Sequence, residues 1–275
     1  MQKSNSSSPC DTCPASARLE QMGLKLDNFD RVVALAGNPN TGKSTLFNSL
    51  TGLKQHTGNW PGKTVTRAEG GYVFNGVRYK LVDLPGTYSL LSASQDEEVA
   101  RNFILFGQPD CTIVVTDATA LERNLNLALQ VMEITDKVVV AVNLMDEAIR
   151  KGITVDVRSL ARDMGVPVIP ITARTGEGMQ TLLATVGDVI SGQILTQPLR
   201  VEGTPEVQRA VSELSRQIEQ LYPGTPNARW LAIRLLDGDE RVQQAILSGE
   251  IAALVSDQQR ADVSFSKKMA VAGRQ

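Results

Sequence analysis

The sequence predicts an α/β fold, a mixed and mostly parallel six-stranded sheet with helices on both faces, followed by a small all-α domain. Three observations predict it. The apolar run Val32-Val33-Ala34-Leu35-Ala36 leads through a glycine-bearing loop into a helix-like stretch, Thr45-Leu46-Phe47-Asn48-Ser49-Leu50. Further strand-like runs recur at 79–82, 137–142 and 168–170, the later ones separated by helical spacing, as in parallel crossovers. After about Gln193-Ile194 the strands stop and only helical periodicity continues.

Composition agrees with that plan. The chain has 275 residues, 42% hydrophobic and 21% charged, which suits an α/β domain of about 150–170 residues with an appendage. No apolar run approaches the ~18–20 residues of a membrane span, so the polypeptide is expected to be soluble as given. No signal peptide or twin-arginine segment is visible. A net charge of −2 argues against an extended nucleic-acid surface.

Residues 1–28 read as a flexible leader, serine-rich near its start. They carry Cys10-Asp11-Thr12-Cys13, but a tetrahedral metal site needs four ligands, and only Cys111 and the lone His56 remain to complete one. An unremarkable tail is the plainer reading; a metal or redox role is the alternative. His56 reads as a solvated loop residue. So few cysteines suit a reducing cytosol.

The loop after the first strand reads Gly37-Asn38-Pro39-Asn40-Thr41-Gly42-Lys43-Ser44, the G-x-x-x-x-G-K-[ST] pattern in its strand–loop–helix context. Gly37 and Gly42 let backbone N–H groups turn onto phosphate oxygens. The helix beginning at Ser44-Thr45 adds the positive end of its dipole. Lys43 is expected to reach the β- and γ-phosphates, and Ser44 to give its hydroxyl to Mg²⁺. The chain is therefore expected to bind a nucleoside triphosphate.

Downstream residues name the base. Asn143-Leu144-Met145-Asp146 stands at the carboxyl end of the 137–142 strand. Asp146 can accept from the N1–H and exocyclic amine of guanine together, a fork that adenine lacks; Asn143 would bond the ring edge and brace the phosphate loop. Such a site rejects the wrong base by leaving buried polar groups unpaired. Thr172-Ala173-Arg174 follows the next strand, with the Ala173 N–H expected on the guanine carbonyl.

Between these lie the parts that sense γ-phosphate. Asp83-Leu84-Pro85-Gly86 ends the strand at 79–82, with Asp83 expected to hold a Mg²⁺-bound water and the Gly86 N–H to meet the γ-phosphate. Thr64 falls where a hydroxyl can ligate Mg²⁺ only while that phosphate is present. The order describes a Ras-like GTPase with switch loops near 53–65 and 84–98. Thr87 and Tyr88 stand where many such proteins carry a water-orienting glutamine. Hydrolysis should then rest on positioning and charge neutralisation and be slow without added positive charge.

Asn40 in the phosphate loop, the first switch Gly58-Asn59-Trp60-Pro61-Gly62-Lys63-Thr64-Val65, the segment Asp83–Leu90, and Leu121-Glu122-Arg123-Asn124-Leu125 together resemble the N-terminal cytosolic G domain of the bacterial ferrous iron transport protein B family, FeoB, over roughly 31–190. The resemblance implies a GTPase that regulates or powers ferrous iron uptake at the cytoplasmic face of the inner membrane. It also implies a K⁺ ion against the β- and γ-phosphates, held by the residue matching Asn40 and by first-switch carbonyls matching Gly58 and Trp60. It implies as partners GTP or GDP, the membrane-spanning part of the same transporter, small accessory proteins and further copies of the chain, with no nucleic acid.

A hairpin is expected between 67 and 79, turning at Asn75-Gly76. Thr204-Pro205-Glu206 reads as a helix start, and Val207, Val211, Leu214, Ile218 and Leu221 form one apolar stripe. Thr225-Pro226 is expected to open a second helix containing Trp230, Ile233, Leu235 and Leu236; shorter helices are expected over 240–247 and 250–259, broken at Ser248-Gly249. The divisions are then 1–28 leader, 29–193 G domain, 194–263 helical domain and 264–275 tail. By resemblance the helical part is a GDI-like domain that slows GDP release and connects the switches to the membrane part; Lys267-Lys268 near the end reads as a solvated terminus. Two other readings compete: a ribosome-assembly or tRNA-modifying GTPase, whose expected basic cluster this appendage lacks, and a nucleotide-binding regulator without significant hydrolysis.

Overall fold

The computed structural model describes residues 19–20, 22–24, 29–52, 55–91 and 94–253. Cys10, Cys13 and the tail from 254 onward, Lys267 and Lys268 included, lie outside these residues. Strand β1 (Arg31–Gly37) is buried from Val32 onward and leads into helix α1 (Lys43–Thr51). Then come β2 (Gln55–Asn59), β3 (Thr66–Phe74) and β4 (Val77–Asp83). Asn75 and Gly76 both take left-handed φ, +47° and +79°, the tight primed turn that the hairpin needs.

Helix α2 (Gln95–Asn102), capped by Ser94 and extended by a π-turn over Phe103–Gly107, precedes β5 (Cys111–Asp117) and α3 (Leu121–Ile134). The alternation continues with β6 (Val138–Asn143), α4 (Met145–Arg150), α5 (Val157–Met164), β7 (Val168–Pro170) and α6 (Met179–Ser191). Strand order is β2-β3-β4-β1-β5-β6-β7, with β2–β3 and β3–β4 antiparallel and the other pairs parallel. The sheet has seven strands where six were expected. The extra one, β2, comes from the first-switch stretch Gln55-His56-Thr57-Gly58-Asn59, which lacks apolar alternation and pairs as an edge through its backbone alone. His56 is exposed there.

Apolar residues fill both faces of the sheet. One cluster joins Leu46 and Phe47 of α1 to Leu182 and Val186 of α6. The other joins α2 and α3 to the helical part. The expected leader is not wholly free of this core: Leu19 and Leu24 are buried in it, and Arg67 donates to the Met22 and Gly23 carbonyls at 3.0 and 2.8 Å.

The helical part comprises α7 (Pro205–Leu221), α8 (Ala228–Leu236) and α9 (Glu240–Leu247), with residues 250–253 again helical. Thr204 caps α7 with Pro205 in its first turn, as expected. Of the α7 stripe only Val211 and Ile218 are buried; Val207 and Leu221 are exposed because the packing covers only the helix middle. Helix α8 begins later than Thr225-Pro226. Thr225 folds back on the Tyr222 carbonyl through both its N–H (3.2 Å) and its hydroxyl (2.6 Å), and Asn227 supplies the cap.

The Asn227 side-chain amide donates to the carbonyls of Glu133 and Ile134, both at 2.8 Å, which docks α8 on the end of α3. Arg229 pairs with Glu133 at 2.9 Å. The connection from α6 runs close to the G domain: Gln197 and Leu199 N–H donate to Gly165 and Met164 carbonyls at 2.9 and 2.8 Å. Any side chain at Gly165 would collide with the Gln197 backbone.

Candidate functional site

The carboxyl ends of β1, β4 and β6 converge where an open α/β sheet binds its ligands. Gly42 caps α1 at φ +80°, and a Cβ there would fall 2.3 Å from Asn143 Nδ2. Only glycine fits. Asn143 is buried and holds two loops: Nδ2 donates to the Thr41 carbonyl at 2.9 Å, and Oδ1 accepts from the Ala173 N–H at 3.0 Å. Thr41 closes the loop on itself, its hydroxyl donating to the Asn38 carbonyl at 2.9 Å. Ser44 and Thr45 are exposed on the first turn of α1, with hydroxyls open to a ligand.

Several expected contacts are differently engaged. Lys43, buried, does not wait free for phosphate; it pairs with Asp83 and donates to the Leu84 carbonyl at 2.7 Å. An ammonium out of water needs acceptors, and β4 supplies the nearest. Burial raises the Asp83 carboxyl above its usual range, opposed by the Lys43 charge. The Ala173 N–H, expected on the guanine carbonyl, is taken by Asn143 instead. Thr64 donates its hydroxyl to Gln95 Oε1 at 3.3 Å, at the start of α2.

The first-switch residues have partners of their own. Gly58 stands opposite Arg67 in the β2–β3 ladder, and the Trp60 carbonyl accepts from Lys63 N–H at 3.0 Å. The Trp60 ring is buried edge-on against Phe103 at 5.3 Å. Asn40 is exposed at φ +66°, a left-handed conformation that asparagine tolerates better than most residues.

Buried polar atoms without a partner among the described residues occur at this end of the sheet, as they also do at Trp60, Tyr72, Thr112 and Asn124. Asp146 Oδ2 accepts from Arg174 at 3.0 Å, whereas its Oδ1 is buried with no partner among the described residues. The same holds for Thr172 Oγ1 and for both side-chain polar atoms of Asn38. Buried orphans of this kind are uncommon in native folds and call for a partner. Gly86 lies against Pro39, 3.5 Å from where its Cβ would stand, and Thr87 N–H approaches the Gly37 carbonyl at 3.4 Å, so the second switch rests on the phosphate loop.

Family models match on both sides of the connection at 194–204: ferrous iron transport protein B over residues 31–186, and the FeoB cytosolic helical domain over residues 204–269. The chain belongs to the FeoB family. It is 38% identical over 229 residues to the Fe(2+) transporter FeoB of Salmonella typhimurium, covering 80% of this chain and 28% of that one. It is 38% identical over 213 residues to the Fe(2+) transporter FeoB of Escherichia coli K12, covering 75% and 27%. The chain therefore spans little more than a quarter of these curated relatives. Among solved structures it resembles the cytosolic domain of L. pneumophila FeoB, with TM-score 0.69, 34% identity, and coverage of 84% of this chain and 96% of that one. It likewise resembles the cytosolic domain of T. maritima FeoB in a GDP form, with TM-score 0.71, 32% identity, and coverage of 86% and 96%. The G domain and helical domain expected from the motifs are those of this family.

Two residues of consequence escape motif reading. Glu98 of α2 is buried and pairs with Lys63 of the first switch at 3.1 Å and Arg241 of α9 at 2.9 Å. Gln130 of α3 accepts from the Leu90 N–H at 2.6 Å. No local pattern signals either, because each partner lies far away in sequence.

Proposed function

We propose that this chain is the GTP-binding and GTP-hydrolysing cytosolic part of a ferrous iron transporter, acting at the cytoplasmic face of the bacterial inner membrane. Residues 29–193 form the G domain and 194–263 a GDI-like helical domain; 264–275 lead toward a membrane-spanning part, the main partner. One observation carries the reading. Asp146 offers a buried, unpaired carboxylate oxygen beside Asn143, which already fixes the phosphate loop. A guanine N1–H or exocyclic amine would satisfy that oxygen; adenine presents no matching pair.

Gly37, Asn38, Asn40, Thr41, Gly42, Lys43, Ser44 and Thr45 surround the phosphates, and Asn143, Asp146, Thr172, Ala173 and Arg174 surround the base. Lys43 transfers from Asp83 and the Leu84 carbonyl to the β- and γ-phosphates. That frees Asp83 to hold a water bound to Mg²⁺, while the Ser44 and Thr64 hydroxyls offer the hard oxygen donors such an ion takes. When bound, Mg²⁺ neutralises charge on the β- and γ-phosphate oxygens. Thr64 leaves Gln95 to join that set, and the Gly86 N–H meets the γ-phosphate, so both switches, 53–65 and 84–98, respond to it.

Asn40 Oδ1 and the Gly58 and Trp60 carbonyls are neutral oxygens that suit K⁺. Their convergence on the ion goes with a rearrangement of β2 and of the Trp60–Lys63 turn. With Thr87 in place of a glutamine, turnover is slow and K⁺-stimulated. The deciding experiment measures GTP turnover with Mg²⁺ in K⁺ and in Na⁺ buffers, beside calorimetry with GDP. Faster turnover in K⁺ is expected. No GDP binding by folded protein would end the reading, and equal rates in both salts would end its K⁺ component.

A further inference from the structure

Arg123 and Gln130 stand seven residues apart on α3, two turns and hence on one face. Both reach the segment that follows Asp83-Leu84-Pro85-Gly86. The Arg123 guanidinium lies 4.4 Å from the centroid of the Tyr88 ring, within cation–π range. Gln130 Oε1 accepts from the Leu90 N–H at 2.6 Å and from the Ser89 hydroxyl at 3.3 Å. A backbone N–H can only donate, so the oxygen of the Gln130 amide must face Leu90. Ser89 Oγ also accepts from the Leu91 N–H at 3.0 Å, and the Leu90 side chain is buried in the core.

Residues 84–87 are held differently. Leu84 N–H donates to the Leu35 carbonyl at 3.0 Å and Thr87 N–H to the Gly37 carbonyl at 3.4 Å, while Lys43 holds the Leu84 carbonyl. On the proposed function an incoming polyphosphate competes for Lys43, whereas the α3 contacts are made by Tyr88, Ser89 and Leu90. The first residues of the second switch, 84–87, are therefore held by β1 and Lys43, and the next ones, 88–90, by α3.

We propose that Arg123 and Gln130 are positioning residues of the second switch. They fix residues 88–90 on α3, just past Gly86, so that the Gly86 N–H stays aimed at the γ-phosphate while Lys43 changes partner. The proposal rests on the GTPase reading above. It also gives a part to Arg123 of the Leu121-Glu122-Arg123-Asn124-Leu125 stretch.

The test compares Gln130→Leu, which keeps bulk but loses the acceptor, with Gln130→Glu, which keeps it. In Gln130→Leu, hydrogen exchange at the Leu90 amide of the nucleotide-free chain should quicken about tenfold. Its kcat for GTP hydrolysis should fall about tenfold with KM and GDP affinity within about twofold. Gln130→Glu should restore both. Arg123→Ala should show the same effects in smaller measure and Arg123→Lys less still, and this pair decides the matter if Gln130→Leu does not fold. Unchanged exchange and kcat would overturn the proposal, as would a loss of GDP affinity in step with kcat, which would mean general loosening. If the parent chain does not hydrolyse GTP, the functional reading fails, yet Leu90 exchange without nucleotide still decides whether α3 fastens the switch.

Discussion

Asn143 Oδ1 accepts from the Ala173 backbone N–H at 3.0 Å, while Nδ2 of the same side chain donates to the Thr41 carbonyl at 2.9 Å. One buried amide thus ties the base-side loop to the phosphate loop. Asn143→Ala should orphan both partners, at about 1–3 kcal/mol for each buried group left unpaired. We expect a lower denaturation midpoint together with a loss of GDP affinity of at least about tenfold. Denaturant titration and calorimetry on the variant check this; normal GDP affinity at reduced stability would show that the tie serves folding only.

Asp146 makes a separate prediction, because only one of its oxygens is engaged, by the largely exposed Arg174. Asp146→Ala should reduce preference for GTP over ATP by at least ~10²-fold, since discrimination comes from polar groups left unpaired by the wrong base. Competition binding with both nucleotides measures it. Arg174→Ala should have a small effect, as an exposed ion pair contributes about 0–1 kcal/mol.

Those residues were legible because their chemistry is local. A glycine-bearing loop between strand and helix, and an Asn and Asp three apart at a strand end, keep their meaning whatever surrounds them. Partners chosen across space were not legible. Nothing near Ala173 says that its N–H will be taken by Asn143, and nothing near Lys43 says that Asp83 will hold it. Strand β2 lacked alternation because an edge needs only backbone pairing. The α8 boundary was misplaced because Pro226 looked like a first-turn proline, while the Tyr222 carbonyl drew Thr225 into a turn and left the cap to Asn227.

Glu98 joins three parts of the molecule, meeting Lys63 of the first switch and Arg241 of the helical domain, which also reaches Glu250 at 3.3 Å. Burial alone would raise its carboxyl; hydrogen bonds from Arg241 and Lys63 outweigh that and hold it below the usual carboxylate range. The stabilisation is therefore complete above that usual range and lost as pH falls through the lowered native value. Glu98→Gln should flatten this acid limb of the stability curve. It should also cost about 1–2 kcal/mol at neutral pH, because both cationic partners are partly solvated. Denaturation across acidic pH tests it; an unchanged limb would assign the acid sensitivity to other carboxylates.

The first switch gives the prediction that most directly tests the proposed response to triphosphate. Here Gly58 sits in the β2–β3 ladder, the Trp60 carbonyl is closed on Lys63, and the Thr64 hydroxyl is on Gln95. On the proposed reading all three turn toward a bound triphosphate and its cations, which draws β2 away from β3. A non-hydrolysable GTP analogue with Mg²⁺ and K⁺ should therefore raise hydrogen exchange across the 55–59 edge strand, whereas GDP should leave it protected. Asn40→Ala should keep nucleotide binding but lose K⁺ stimulation, and Thr64→Ala should spare GDP affinity while slowing hydrolysis. Equal exchange of the edge strand with both nucleotides, beside an intact K⁺ response in Asn40→Ala, would mean that hydrolysis proceeds with β2 in place and that the cation acts elsewhere.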